Sequence, residues 1–122
     1  MGSVPAFLLK KLYAKGSLKN TGAGFELTIQ NTLAPGTIVG LVPLQVDDIA
    51  YPLEQTKVVL PDGSRVSAAG VSPESPLRFG LGDKVTIQVE GKPLTAGPHK
   101  LTIAPKTREA GLLEISAQDS VA

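Results

Sequence analysis

The side chain best suited to catalysis in this chain is His99, the one histidine among 122 residues that include no cysteine and no tryptophan. Most enzyme chemistry at neutral pH uses imidazole, thiolate or a bound metal. His99 follows the turn residues Gly97 and Pro98 and precedes an alternating segment that begins at Lys100. It could act as a general base or hydrogen-bond a ligand, or it could enter the strand half exposed with its ring bonded to a backbone carbonyl. No carboxylate or hydroxyl stands at an informative spacing from it, so we predict no catalytic residue.

Acidic residues and glycine-rich segments give no stronger signal. Asp47 and Asp48 are adjacent, so on a strand their carboxylates would point to opposite faces and could not converge on a metal ion. We therefore expect them to form a turn. Segments 22–24 and 80–83 contain Gly-x-Gly, but neither follows a buried parallel strand and opens a helix, as nucleotide-binding loops do. We predict no metal site and no cofactor.

A small group of polar side chains remains for binding a ligand. Its members are His99, Arg78, Asp83 and Arg108. Arg78 lies in segment 71–83, which we predict to be a long loop of the kind that carries binding residues. Arg108 could bind a carboxylate in an interface. An enzyme centred on His99, with Asp83 or Glu109 as its orienting group, is the least favoured interpretation.

The bulk composition narrows the class of protein. A chain of 122 residues fits one domain, here 1–122, and its five phenylalanines and tyrosines require a mostly aliphatic core. The net charge of +1, with lysines and arginines dispersed, does not favour nucleic-acid binding. No stretch approaches the roughly 20 apolar residues of a membrane span, and the N-terminal residues have the wrong order for a signal peptide. We expect a cytoplasmic protein without membrane contact.

Alternation of apolar and polar residues predicts strands. It is clear in 25–30, 84–90 and 100–103, and Pro61-Asp62-Gly63-Ser64 predicts a hairpin between 57–60 and 65–68. We also predict a first strand at about 12–19, a last strand at 112–116, a frayed tail at 117–122 and a short helix within 5–11. About eight strands at this spacing indicate a single-domain, all-β antiparallel sandwich.

One apolar segment, 31–44, does not alternate. Either both of its faces are buried or part of it contacts a partner. We predict an interface that uses Leu33, Ile38, Val39, Leu41 and Val42. The partner would be a second copy of the chain, in a homo-oligomer, or a larger protein subunit.

Several segments, taken in order, resemble a known family. They are 16–20, 24–27, the turn from Asp47 to Pro52, and 89–94 continuing to 97–101. This order is similar to the small β-subunit of bacterial C-glycoside deglycosidases and its stand-alone relatives. The resemblance implies an all-β subunit that pairs with a larger, metal-dependent barrel subunit, in which the catalytic residues lie. The chain also resembles short chains labelled hydroxymethylglutaryl-CoA reductase, although a reductase of that kind needs a much larger chain and a nicotinamide site.

Two functions therefore stay open at this point. The first is a non-catalytic β-sandwich subunit or interaction module, which fits the missing set of catalytic side chains and the unpatterned segment 31–44. The second is a small-molecule binding protein for a carbohydrate or acyl ligand, with a pocket at one end of the sandwich formed by 71–83 and His99.

Overall fold

A computed structural model describes residues 4–122, which form short strands, one short α-helix and three 3₁₀ turns. The helix is α1 (Ala6–Leu9), and the 3₁₀ turns are Lys10–Leu12, Leu53–Gln55 and Ala68–Gly70. The strands are β1 (Lys19–Asn20), β2 (Gly24–Gln30), β3 (Gly36–Leu41), β4 (Gln45–Val46), β5 (Ile49–Ala50), β6 (Thr56–Val59), β7 (Arg65–Ser67), β8 (Leu77–Phe79), β9 (Lys84–Glu90), β10 (Gly97–Ile103), β11 (Pro105–Thr107), β12 (Gly111–Leu112) and β13 (Ile115–Val121). Among these residues no helix is long and apolar enough to cross a membrane.

Across residues 4–122 the strands form three antiparallel sheets. One has the order β1-β2-β9-β6-β7, the second β13-β10-β4-β5 and the third β12-β11-β3-β8. Side chains from all three sheets meet in one aliphatic core. The predicted all-β antiparallel class is confirmed, but the strands are shorter and more numerous than the eight we expected, because several consist of two residues only.

The best-patterned strands are the central ones. β2 and β9 pair along their whole lengths, with Leu27 opposite Ile87, and each buries every second side chain. Alternation survives in these strands because one face packs into the core and the other meets water. The ring of Phe25 lies edge-on to that of Tyr51, with 5.1 Å between centroids. The predicted strands 25–30 and 84–90 are confirmed, as is the hairpin of β6 and β7.

The strands β2 and β9 approach closely at the start of β2. A Cβ atom added to Gly24 would lie 2.0 Å from the backbone oxygen of Val89. Only glycine fits at this distance, so Gly24 allows the two strands to stay paired to the end of β9.

Three predicted boundaries are wrong. Residues 12–19 form no continuous strand, because the chain turns at Gly16, whose φ of +87° is left-handed. Segment 71–83 is not one long loop, since β8 pairs within it to β3. The tail does not fray after Ala117, because β13 continues to Val121 along β10. The buried Asp119 interrupts the apolar face of β13, so the sequence pattern there does not indicate a strand.

The unpatterned segment 31–44 contains β3, which lies inside the third sheet. Its pairing with β11 shifts register, so that Ile38 and Gly40 oppose consecutive residues and Val39 is left over as a bulge. Ile38 is 1% exposed and lies in the core of the chain, which leaves it almost no accessible surface for the predicted interface. The bulge accounts for the lost alternation, and the interface stays a prediction. The other predicted interface residues, Leu33, Val39, Leu41 and Val42, are half buried.

Candidate functional site

His99 points inward from β10 and is 7% exposed. Its Nδ1 atom lies 2.6 Å from Oδ2 of Asp47, and its Nε2 atom lies 2.7 Å from the backbone oxygen of Thr95. A backbone oxygen only accepts hydrogen bonds, so Nε2 carries a proton. Both ring nitrogens are therefore occupied by acceptors from the same chain.

The protonation state of His99 follows from these contacts. The Thr95 carbonyl and then the Asp47 carboxylate raise the pKa of His99, and together they outweigh the lowering effect of burial. In return, the backbone N–H of Lys100 and then the imidazole of His99 lower the pKa of Asp47. Both directions favour an imidazolium paired with a carboxylate. Because both ring nitrogens are already hydrogen-bonded to groups of the same chain, the ring presents no free nitrogen to a substrate, so His99 is not arranged as a general base.

A tight hairpin turn delivers Asp47 to the histidine. Asp47 and Asp48 join β4 to β5 with φ values of +53° and +68°, as the twist of a two-residue hairpin requires. Asp47 also accepts a hydrogen bond from the N–H of Lys100 and donates its own N–H to the oxygen of Lys100, at 2.9 and 2.8 Å. The predicted turn is confirmed. The hydrogen bond between Asp47 and His99 joins residues 52 positions apart, so no local pattern in the sequence indicates it.

A second acid, Asp119, is buried and holds the segment after α1 against β13. Its Oδ2 atom accepts hydrogen bonds from the Tyr13 hydroxyl at 2.5 Å and from the Gly16 N–H at 2.8 Å, with the Leu18 N–H at 3.4 Å. Burial alone raises the pKa of Asp119, but the bonds from Tyr13 and the backbone outweigh it, so the pKa falls. Burial, and then the bond to Asp119, raises the pKa of the Tyr13 phenol.

The two acids belong to one polar cluster, formed by Tyr13, Asp47, His99 and Asp119. His99 and Asp119 are direct partners across β10 and β13, which places their side chains on the same inner face. Within the described residues, every buried side-chain nitrogen or oxygen has a hydrogen-bond partner. The cluster joins the N-terminal turn, the β4–β5 hairpin and the β10–β13 pair. It is suited to fixing these elements, and it leaves no free acid or base.

The other sequence candidates lie apart from His99. Arg78 is exposed on β8, Asp83 accepts a hydrogen bond from the N–H of Gly80 at 2.8 Å, and Arg108 is exposed in the turn after β11. Glu109 bonds the backbone and hydroxyl of Thr37, at 2.8 and 3.0 Å. The orienting groups considered for His99 are thus engaged elsewhere, whereas Asp47 takes that position. The structure does not gather the four predicted ligand-binding residues into one site.

An open concavity runs beside β13. A cavity of about 610 Å³ is lined by Lys10, Tyr13, Lys15, Lys100, Ser116, Ala117 and Gln118. A neighbouring cavity of about 380 Å³ is lined by Ala6, Phe7, Lys10, Glu114 and Ser116. Lys10 and Ser116 line both, so the two form one groove, which we call the β13 groove. It carries three lysines and one glutamate, a surplus of positive charge in a chain of net charge +1. Sequence reasoning missed it because its lysines come from separate elements.

A smaller cavity of about 140 Å³ is mostly apolar. Its lining includes Leu33, Pro35, Phe79 and Leu113, so it touches one of the predicted interface residues. Its volume is close to that of a cavity that holds a benzene ring.

These features define the class of protein. It is all-β, the ionisable side chains of its core are hydrogen-bonded within the chain, and a lysine-lined groove lies open at its surface. Comparison with family models then identifies the family. The chain belongs to the family described as hydroxymethylglutaryl-CoA reductase, N-terminal domain, whose model matches residues 8–122. This agrees with the resemblance to chains that carry the reductase label. A search of curated proteins gave no match.

Proposed function

We propose that the protein is a non-catalytic β-subunit that pairs with a larger enzyme subunit. The observation that carries the proposal is the bonding of both ring nitrogens of His99, at 2.6 and 2.7 Å, to acceptors of its own chain. The side chain best suited to acid–base chemistry is thereby committed to the fold. The carboxylates of Asp47 and Asp119 are likewise hydrogen-bonded to groups of the same chain.

Two further observations support a role in assembly. Four large apolar side chains stand at least half exposed: Phe7, Ile49, Leu81 and Leu112. Phe7 also borders the β13 groove, where the positive charge is concentrated. Exposed aromatic groups beside a charged groove are typical of interfaces rather than of free surfaces.

The partner class comes from the resemblance to C-glycoside deglycosidases. In that arrangement a larger, metal-dependent barrel subunit supplies the catalytic residues, and this chain supplies contacts. The family description, which names an N-terminal domain of a reductase, is compatible with a part that works beside a separate catalytic unit.

Purification of a tagged chain from its native source tests the proposal. We expect a larger polypeptide to co-purify at fixed stoichiometry and the complex to have an activity that the isolated chain lacks. A complex formed with His99→Gln should keep that activity, provided that the variant remains folded. The proposal is overturned if the isolated wild-type chain catalyses turnover of a glycoside or CoA ester and His99→Gln abolishes this turnover. Light scattering at tens of micromolar separates self-association from pairing with a larger subunit.

The apolar cavity of about 140 Å³ favours a second candidate function, the binding of an acyl ligand. Its lining is mostly apolar, as is usual for pockets that accept hydrocarbon, although Asn31, Thr107 and Glu109 also contribute to it. A melting screen across sugars, glycosides and CoA esters tests it, because a ligand at 100 times its Kd stabilises by about 2.7 kcal/mol. No shift with any of these compounds would exclude this function.

A further inference from the structure

The hydrogen-bonding pattern of β10 shows which backbone groups of β13 face outward. Both the N–H and the C=O of Lys100 are bonded to Asp47, on the side away from β13. Lys100 opposite Gln118 is therefore a pair without hydrogen bonds in the antiparallel ladder. By the alternation of such ladders, the N–H and C=O groups of Gln118 and Ser116 point away from β10, toward the free edge of the sheet.

In the part of the chain that the structure describes, backbone groups at this edge are left without hydrogen bonds at Ser116 and Gln118, whereas the edge further along β13, at Asp119 and Ser120, is engaged by other groups of the chain. Gly16 and Leu18 lie against Asp119, and the Ser120 N–H is bonded to Oδ1 of that same side chain. At Gln118 the carbonyl accepts a hydrogen bond from Lys15 Nζ at 2.9 Å. Among residues 4–122, the N–H and C=O of Ser116 and the N–H of Gln118 have no partner. Ser116 and Gln118, which carry these three groups, both line the β13 groove.

We propose that the β13 groove binds an extended acidic segment of the partner subunit, which adds to the open edge of β13 as a further strand. The inference rests on the function proposed above and names its docking surface. Unpaired edge groups supply main-chain hydrogen bonds for such an addition, and flanking side chains supply selectivity. Lys10, Lys15 and Lys100 select acidic side chains, and Phe7 at the other end selects an apolar one.

Charge distinguishes an acidic segment from a second copy of this chain. Each groove contributes three lysines and one glutamate, and Oδ1 of Asp48 lies 3.9 Å from Lys100 Nζ, which still leaves an excess of positive charge. Pairing two copies edge to edge would place a net excess of positive charge in the shared groove, and close like charges are unfavourable across an interface. An acidic segment neutralises the same lysines.

Lys15 protects the edge when no partner is bound. Lysine beside an edge strand is a common way to prevent uncontrolled strand pairing. The Lys15 side chain is exposed, so its bond to the Gln118 oxygen breaks at little cost. On binding, Lys15 releases this oxygen to the added strand and pairs with an acidic side chain of the segment.

A synthetic peptide tests strand addition directly. The probe is a peptide of about six residues, the usual strand length, that alternates threonine and valine and carries aspartates at one end. Its control has the same sequence with alternate backbone nitrogens methylated, which preserves charge but removes donors. We expect the probe to bind, to shift and protect the amides of Ser116 and Gln118 in NMR spectra, and to bind at least about 10-fold more tightly than the control. Equal binding of both peptides, or none, overturns the proposal.

Substitutions at Ser116 provide a matched test in the protein. Ser116→Pro removes only an N–H that faces the free edge, a position where proline is tolerated in strands, and Ser116→Ala keeps it. We expect the proline variant to lose probe binding and co-purification of the larger subunit, and the alanine variant to keep both. Melting temperatures and the Leu101–Ala117 amide signals report whether β10 and β13 remain paired.

Charge reversal completes the test and separates the two proposals. Lys10→Glu with Lys100→Glu should abolish probe binding, whereas Lys92→Glu, in a turn away from the groove, should not. If the larger subunit co-purifies equally with all variants, the groove proposal fails and the proposed function stands. If no larger subunit co-purifies even with the wild-type chain, the proposed function fails. A wild-type dimer that these variants dissociate would identify a second copy as the occupant and overturn the acidic segment.

Discussion

Replacement of Asp119 by alanine tests whether the polar cluster stabilises the fold. Asp119 is 7% exposed, and its carboxylate joins the turn after α1 to β13. The substitution leaves the Tyr13 hydroxyl and the Gly16 N–H without their acceptor and weakens a third, longer contact at Leu18. We expect a folded but much less stable protein.

The magnitude follows from those lost bonds. A buried donor left without its partner costs about 1–3 kcal/mol, and losses within one network are not additive, so we expect about 3–5 kcal/mol. For a chain of this size, about 4 °C of melting temperature corresponds to 1 kcal/mol, which gives a fall of about 12–20 °C. Tyr13→Phe removes a single hydroxyl and should cost about 1–2 kcal/mol.

The assay is thermal and urea unfolding of the wild type, Asp119→Ala, Asp119→Asn and Asp62→Ala. Asp62 is the matched control, because its exposed carboxylate also accepts two bonds, both from Ser64, but within one turn. Since the pKa of Asp119 is lowered on folding, its contribution is present above its unfolded pKa and is lost as pH falls through the folded value. The gap between wild type and Asp119→Asn should therefore narrow in acid. A loss for Asp119→Ala no larger than that of Asp62→Ala would refute the reasoning.

Three further substitutions test other parts of the structure by chemical denaturation. His99→Gln should lower the free energy of unfolding by about 1–3 kcal/mol near pH 6. Because folding raises the pKa of His99, this loss of stability should shrink as the pH rises through the folded-state pKa. A loss that does not change with pH would contradict a protonated His99 in the folded protein. Gly24→Ala should cost about 3 kcal/mol or more, since its Cβ would lie 2.0 Å from a backbone oxygen, whereas Gly22→Ala meets no atom within 4 Å; equal effects would contradict the close approach. Asp48→Gly should stabilise the protein by up to about 1 kcal/mol, because glycine adopts a φ of +68° without strain. Asp47→Gly should destabilise it, because the carboxylate that bonds His99 and Lys100 is lost. A stability change of the same sign in both variants would show that backbone strain in the turn, and not the Asp47 carboxylate, determines the effect.

The sequence predicted those strands and turns whose conformation depends mainly on neighbouring residues. The strands 25–30 and 84–90 and the turn at Asp47 were predictable because alternation and left-handed turn residues are encoded at each position. The strand β3 within segment 31–44 could not be predicted, because a bulge cancels its alternation and bulges depend on pairing with a strand far along the chain.

The functional surface was much less predictable than the fold. His99 stood out by its chemistry, but its partner Asp47 lies 52 residues away and its neighbour Asp119 belongs to a tail predicted to fray. Strand pairing across the chain creates both contacts, and no spacing in the sequence encodes them. The β13 groove likewise exists only once lysines from the N-terminal turn and β10 meet beside a free sheet edge.

The most direct test of the claim that His99 serves the fold rather than a reaction is ¹⁵N NMR of its imidazole, which is unambiguous because the chain has one histidine. At neutral pH we expect two protonated ring nitrogens, with slowly exchanging N–H signals to the Asp47 carboxylate and the Thr95 carbonyl, and a titration midpoint above the ordinary value of about 6.5. A neutral ring with one free nitrogen that titrates at or below that value would contradict the claim and restore His99 as a possible base.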